Sequence, residues 1–261
     1  FTIDGKTYQL AANDGTNNLH SDDDNGYHKR IWNAAPKDNS VVFTLADSDG
    51  SMGFPGNKNV QVTYTVTDDN ELQIAYEVTS DQKTLINMTN HSYFNLAGHD
   101  SGSIEGHRLS IHASHYTPIF ERLIPTGELA DVTGTPFDFR TMKVIGEDIN
   151  QDNVQLGYGQ GYDHNYALDG FDGTIQKAAS VEEPTTGRKM DVYTDQPGLQ
   201  FYAGSCITPQ TGKGGAAYGK RSGLCLETQC FPDAINQPQF QDVIYGPERP
   251  YKTTTIYKFY N

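Results

Sequence analysis

Gln61-Val62-Thr63-Tyr64-Thr65-Val66-Thr67, then Asp68-Asp69-Asn70, then Glu71-Leu72-Gln73-Ile74-Ala75-Tyr76-Glu77-Val78-Thr79 is the stretch that decides the fold. Apolar and polar residues alternate with period two on both arms, and three turn-forming residues separate the arms. Leu72, Ile74, Tyr76 and Val78 fall on one face, because successive side chains of a strand point to opposite sides. The stretch reads as a β-hairpin.

The same period returns on either side. Residues 41–45, 108–111, 189–194, 199–203, 223–229 and 253–260 read as strands, and residues 1–10 as a short hairpin around Asp4-Gly5. The chain holds 26 Gly, 16 Tyr and 12 Phe, a composition that favours turns and strands over helices. No long window carries a 3.6-residue apolar stripe with caps, although residues 232–235 fit a short helical turn. Many strands with no helical crossovers imply an all-β fold, a sandwich or barrel of antiparallel sheets. No repeat, low-complexity tract or linker interrupts the 261 residues, so 1–261 reads as a single domain.

The charge balance excludes whole classes of partner. With 19 Lys plus Arg against 33 Asp plus Glu, the net charge is −14. Nucleic acid, which needs basic patches to neutralise phosphates, is not an expected partner. No apolar run approaches the ~18–20 residues of a membrane span. Asp22-Asp23-Asp24 reads as a solvated loop, since no EF-hand spacing follows it. Cys206, Cys225 and Cys230 are odd in number and form no CxxC pair, so free thiols are expected rather than a disulfide scaffold or zinc ribbon. No metal site is expected either. His107, His112 and His115 are three or five residues apart, and on a strand such spacings point to opposite faces. The glycine-rich stretch 212–219 lacks phosphate-loop spacing and reads as a surface loop.

Three stretches carry the residue types of acid–base chemistry. Residues 85–96 read as a strand with Asn87, Thr89, His91, Tyr93 and Asn95 on one face, hydrogen-bonding groups of the kind that line a polyol site. The same pattern also fits a solvated sheet face with an incidental histidine. In Tyr162-Asp163-His164-Asn165-Tyr166 a carboxylate is flanked by aromatics. An aromatic face can stack on the CH groups of a sugar ring while the carboxylate accepts from hydroxyls, although a turn stabilised by Asp163 fits equally. In Leu224-Cys225-Leu226-Glu227-Thr228-Gln229 the carboxylate of Glu227 sits within a largely apolar run, on the face of Cys225 and Gln229. Burial there would raise its pKa and make it a base near neutrality. Exposure on an edge strand would leave it solvated.

Beyond these chemical patterns, Thr89-Asn90-His91-Ser92-Tyr93-Phe94-Asn95-Leu96-Ala97-Gly98 resembles the signature of the aldose 1-epimerases, the galactose mutarotases. So do Gly161-Tyr162-Asp163-His164-Asn165, Gln196-Pro197-Gly198-Leu199-Gln200-Phe201-Tyr202, Leu226-Glu227-Thr228-Gln229 and Pro232-Asp233-Ala234, in family order. Ile124-Pro125-Thr126-Gly127-Glu128 and Phe137-Asp138 fit as well. The resemblance implies a large antiparallel β-sandwich, an open sugar cleft, and a cofactor-free interconversion of the α and β anomers of a free aldose, the small-molecule partner. It implies Glu227 as general base and His91 as general acid. His20, Asp163 and Gln200 are implied as sugar contacts. The cytoplasm is the family default, while the low Lys and Arg count with abundant Asn, Thr and Tyr leaves secretion open. For His91 to act as an acid it must be charged near neutrality, and a neighbouring Asp163 is expected to raise its pKa.

Two departures stand out. The family usually continues Leu-His with Gly-Gly, and this chain has Ser21-Asp22 after Leu19-His20. Family members also carry further strands ahead of the point matching Phe1, with an Asn-Arg pair whose Arg touches the sugar. No residue here matches that Arg, so a preceding segment or a partner chain is expected to supply those strands. Three other functions fit parts of the pattern: a glycoside hydrolase using Asp163 and Glu227, a non-catalytic sugar-binding module, and an enzyme for phosphorylated hexoses. The last should gather Lys or Arg at the cleft, and the motifs are poor in both.

Overall fold

The computed structural model describes residues 1–261. Its contacts divide the chain into two compact units. One comprises Phe1–Thr67, Leu72–Asn87 and Asp242–Thr254. The other comprises Asp68–Glu71, Met88–Gln241 and Thr255–Asn261.

In the first unit, Asn33–Lys37, Ser40–Asp47, Lys58–Val66 and Glu71–Ser80 form an antiparallel meander. Its last two strands are the hairpin read from the sequence. Val60 faces Val78, Val62 faces Tyr76, and Tyr64 faces Ile74. Val60, Val62, Ile74, Tyr76 and Val78 are buried, so one face of the pleat supplies the core. Asn70 takes φ 59 in the connecting turn, a left-handed conformation that asparagine tolerates better than most residues. Thr2–Ile3 pairs with Lys6–Thr7 across Asp4-Gly5, both at positive φ as a tight hairpin turn requires. Asn33–Lys37 was not legible, because it is exposed throughout and contains Pro36, a residue confined to sheet edges.

The second unit stacks two antiparallel sheets. One contains Lys143–Val144, Arg108–Ile111, Gln176–Glu182, Lys189–Thr194 and the end of the final strand, with Lys189 facing Tyr260 and Thr194 facing Thr255. The other runs in the order Ala130–Asp131, His115–Tyr116, Asp163–Ala167, Gly198–Tyr202, Cys225–Gln229. The sheets meet through Tyr257, whose hydroxyl donates to the Leu226 carbonyl at 2.9 Å, and through the paired hydroxyls of Thr228 and Thr255. Leu199, Phe201, Leu226 and Tyr257 are almost fully buried between them. A sequence-distant cluster of Tyr116, Phe137, Phe139 and Tyr162 extends this core, with Tyr116 stacked on Phe137 at 4.4 Å.

One expectation fails here. Residues 85–96 are not a strand: only Thr84–Leu85 joins a ladder, and Phe94 makes a single bridge to Leu224. Asparagine side chains account for the break. Asn90 Oδ1 accepts the Ser92 N–H, and Asn95 Oδ1 accepts the Ala97 N–H, each at 3.1 Å. These local bonds compete with ladder bonds. The segment stays extended and lies along the Cys225–Gln229 strand, the last of its sheet. Phe94 and Leu224 exchange both backbone bonds, and Thr89 Oγ1 donates to the Thr228 carbonyl at 2.9 Å. The segment thus covers an edge that would otherwise be open.

Candidate active site

Three strands build the floor of the site. Residues directly opposite in a ladder put their side chains on the same face. Asp163 faces Tyr202, which faces Cys225; Asn165 faces Gln200, which faces Glu227; Ala167 faces Gly198, which faces Gln229. This face is therefore polar. The alternate residues His164, Tyr166, Leu199, Phe201 and Leu226 form the apolar face and are buried in the core. The floor is cross-linked by its own hydrogen bonds. Gln200 Nε2 donates to Asp163 Oδ1 at 2.8 Å, and Gln229 Nε2 donates to Asn165 Oδ1 at 3.4 Å and Gln200 Oε1 at 3.5 Å. Gly198 permits this packing, since a Cβ there would lie 2.6 Å from Asn165 Oδ1 and 2.9 Å from Phe231.

The segment covering the sheet edge adds the wall. His91 Nε2 lies 3.6 Å from Glu227 Oε1, and His91 Nδ1 lies 3.3 Å from Cys225 Sγ. The His91 side chain is 34% exposed and that of Glu227 only 6%. Tyr93 packs beside His91 with ring centres 5.0 Å apart, and Tyr202 meets both rings edge-on. Ligand atoms of His91, Cys225 and Glu227 lie within 4.8 Å of one another, a spacing compatible with a metal ion.

Burial sets the electrostatics. It pushes Glu227 up to about 8, and the charge of Asp163 adds to the shift. It pushes Asp163 up to about 6, partly offset by the hydrogen bond from Gln200. The Cys225 thiol is raised well above its ordinary range, again by burial first and then by Glu227 and Asp163. Burial also pushes the His91 imidazole below its ordinary value. That reverses the expectation of a histidine raised by Asp163: desolvation, which disfavours the imidazolium, is the dominant effect on His91.

Four of the five expected site residues belong to the second unit, and His91, Asp163, Gln200 and Glu227 come together on or beside one polar face. His20 belongs to the first unit, in an exposed loop at φ 52. The next residue, Ser21, takes φ 72, so the chain adopts a glycine-like conformation where the resemblance predicts glycine. The aromatics flanking Asp163 in sequence do not line the cleft. Tyr162, His164 and Tyr166 are buried, and His164 is held neutral by desolvation, its pKa lowered to about 3. The aromatic surface of the site comes instead from Tyr93 and Tyr202. Tyr202 and Asn165 were missed, though each sits two residues from a polar residue already singled out, the strand period itself. His107 serves the backbone, its Nε2 accepting the Leu96 N–H at 2.9 Å.

A carboxylate and an imidazole meet over a polar, hydrogen-bonded sheet face within an antiparallel β-sandwich, an arrangement able to accept and donate protons. The family model described as "Aldose 1-epimerase" matches residues 1–258. The galactose mutarotase of Bos taurus is 44% identical over 260 residues, which is 99% of this chain and 74% of that protein. The aldose 1-epimerase of Escherichia coli (strain K12) is 38% identical over 262 residues, 99% of this chain and 75% of that protein. Among solved structures, a GalM/aldose epimerase homologue from C. elegans superposes with TM-score 0.90 at 29% identity, covering all of this chain and 77% of that one. The galactose 1-epimerase of Lactobacillus acidophilus NCFM gives 0.84 at 30% identity, covering all of this chain and 75% of that one. This chain belongs to the aldose 1-epimerase family.

Proposed function

We propose that this chain interconverts the α and β anomers of free hexoses such as galactose and glucose by acid–base opening and reclosure of the hemiacetal ring. The observation that carries the reading is the approach of His91 Nε2 to Glu227 Oε1 at 3.6 Å, above a floor bearing Asp163 and Gln200. From the resemblance alone, His20 is assigned a further sugar contact.

In this reading Glu227 and His91 together hold one proton. Burial alone favours the neutral carboxyl and neutral imidazole. A C1 hydroxyl donating to Glu227 favours the carboxylate, because a hydrogen bond to the charged form stabilises it. The shared proton then resides on His91. The Glu227 carboxylate removes the proton from the C1 oxygen, the C1–O5 bond breaks, and His91 gives its proton to O5. The product is the open-chain aldehyde. Rotation about C1–C2 presents the other carbonyl face, and the reverse transfers close the ring as the other anomer. Asp163 and Gln200, fixed to each other, accept from and donate to sugar hydroxyls and hold the ring during the turn.

Polarimetry of fresh α-D-galactose or α-D-glucose tests the assignment. Glu227→Gln lowers the catalysed rate by at least ~10²-fold, the scale of positioned proton transfer, while calorimetric sugar binding persists. A fully active variant sinks the assignment of the base. Sugar binding by the wild-type chain without rate acceleration would make it a binding module.

A further inference from the structure

The polar face carries a donor that the ring-opening chemistry does not use. Cys225 and Glu227 project from alternate residues of one strand, whose register is fixed by its ladder with Gly198–Tyr202. The Cys225 sulfur lies 3.3 Å from one nitrogen of His91, and a Glu227 oxygen lies 3.6 Å from the other. One ligand atom from each of the three residues lies within 4.8 Å of the other two. Tetrahedral zinc holds sulfur at ~2.3 Å and nitrogen or oxygen at ~2.0–2.2 Å, which sets ligand separations of roughly 3.3–3.8 Å. The widest pair of ligand atoms therefore needs to close by up to about 1.5 Å, a shift shared between the partly exposed His91 ring and the Cys225 and Glu227 side chains.

We propose that His91, Cys225 and Glu227 form a binding site for a thiophilic divalent cation of the Zn²⁺ class, and that the bound cation excludes the sugar. The donor set selects the metal. One thiolate, one imidazole and one carboxylate suit Zn²⁺, Co²⁺ or Cd²⁺, whereas Mg²⁺ and Ca²⁺ take oxygen ligands. Three protein ligands leave a fourth position on the exposed side of His91 for water. Asp163, whose charge acts on both Cys225 and Glu227, adds attraction for a cation. On binding, the metal displaces the thiol proton of Cys225 and the carboxyl proton of Glu227, and both leave to the buffer. The occupied site has neither base nor acid free.

Cobalt titration of the full chain, kept reduced with a phosphine, tests the site. The wild type takes up one equivalent of Co²⁺ with a sulfur-to-cobalt charge-transfer band, and added Zn²⁺ abolishes the band. Cys225→Ser loses the band, Cys206→Ser keeps it, and Glu227→Gln and His91→Asn each weaken Co²⁺ binding at least 10-fold. Absence of the band in the wild type, its survival in Cys225→Ser, or unchanged affinity in both other variants overturns the site. The last comparison stands even if Cys225→Ser fails to fold. None of these readouts uses activity, so they stand or fall apart from the mutarotase reading. The exclusion of sugar rests on that reading: saturating D-galactose, its binding followed by calorimetry, lowers Co²⁺ affinity at least 10-fold. Bound galactose with unchanged Co²⁺ affinity overturns the exclusion and leaves the metal site.

Discussion

Glu227 is where burial and chemistry meet. A carboxyl raised to about 8 beside an imidazole lowered from its ordinary value makes a pair that carries one proton across the neutral range. Above about pH 8 the pair loses that proton. At lower pH His91 takes up a second proton, and Asp163, raised to about 6, becomes neutral. The pH profile of kcat/KM for mutarotation is therefore bell-shaped, with its basic limb near pH 8. Part of the Glu227 shift comes from the charge of Asp163. Asp163→Asn thus moves the basic limb to lower pH while also lowering kcat/KM at the optimum. A basic limb that stays in place in that variant assigns it to some group other than Glu227. Some of this was legible in the sequence. The alternation of Cys225, Glu227 and Gln229 put a carboxylate on a definite strand face, and the apolar run around it offered a raised pKa if that face were buried, or a solvated Glu if it were not. The direction of the His91 shift was not legible. It depends on how deeply the ring is buried against residues far away in sequence, and no spacing encodes that.

At the scale of elements, the site depends on three strands holding one register, and Gly198 is the tightest point of that register. An added methyl would collide with Asn165 Oδ1, with the Phe231 ring and, at 3.1 Å, with the Gln229 carbonyl. The Asn165 side chain is held in place, because it accepts from Gln229 and Gln229 also donates to Gln200. Gly198→Ala therefore destabilises the fold by about 1–3 kcal/mol, the usual cost of overpacking, and lowers kcat/KM by shifting Gln200 beside Glu227. Denaturant unfolding and polarimetry on one preparation check both effects. Unchanged unfolding would mean that the methyl is accommodated and the floor is softer than its hydrogen bonds imply. The hairpin of residues 61–79 was legible because one buried face and one wet face leave a clean period of two. The strand Gln176–Glu182 was not, because buried residues crowd both of its faces and erase the alternation. The segment 85–96 misled in the opposite direction. It alternates well enough to present His91 and Tyr93 on one side, yet its asparagines bond to their own backbone and end the ladder. The aromatics beside Asp163 misled for a different reason: with Asp163 on the polar face, the strand period turns its sequence neighbours to the core.

For the whole molecule, the raised carboxyls are a cost to stability that other acids do not share. Glu183 and Asp191 have pKa values lowered, by hydrogen bonds from Thr186 and Thr185 and by contacts with Lys177 and Ser180 respectively, so they contribute stability above their unfolded pKa values. Glu227 has the opposite sign. Its pKa rises from 4.5 to about 8 on folding. The folded chain holds that proton more tightly than the unfolded chain does. The contribution is fully present below pH ~4.5 and is lost as pH rises through about 8. Replacing Glu227 by glutamine removes this dependence, since the amide has no proton to lose. Compared with the wild type, Glu227→Gln should be about equally stable near pH 4.5 and more stable at pH 8.5, by an amount on the order of 1–3 kcal/mol once relaxation and water penetration temper the shift. The same variant is the one expected to lose mutarotation, so the comparison measures what the proposed base costs the fold. Paired urea unfolding curves across that pH range read the difference directly. A gap that stays constant with pH, or that widens towards acid, would place Glu227 in water or in a favourable ion pair, and the raised pKa on which the proposed base depends would fall with it.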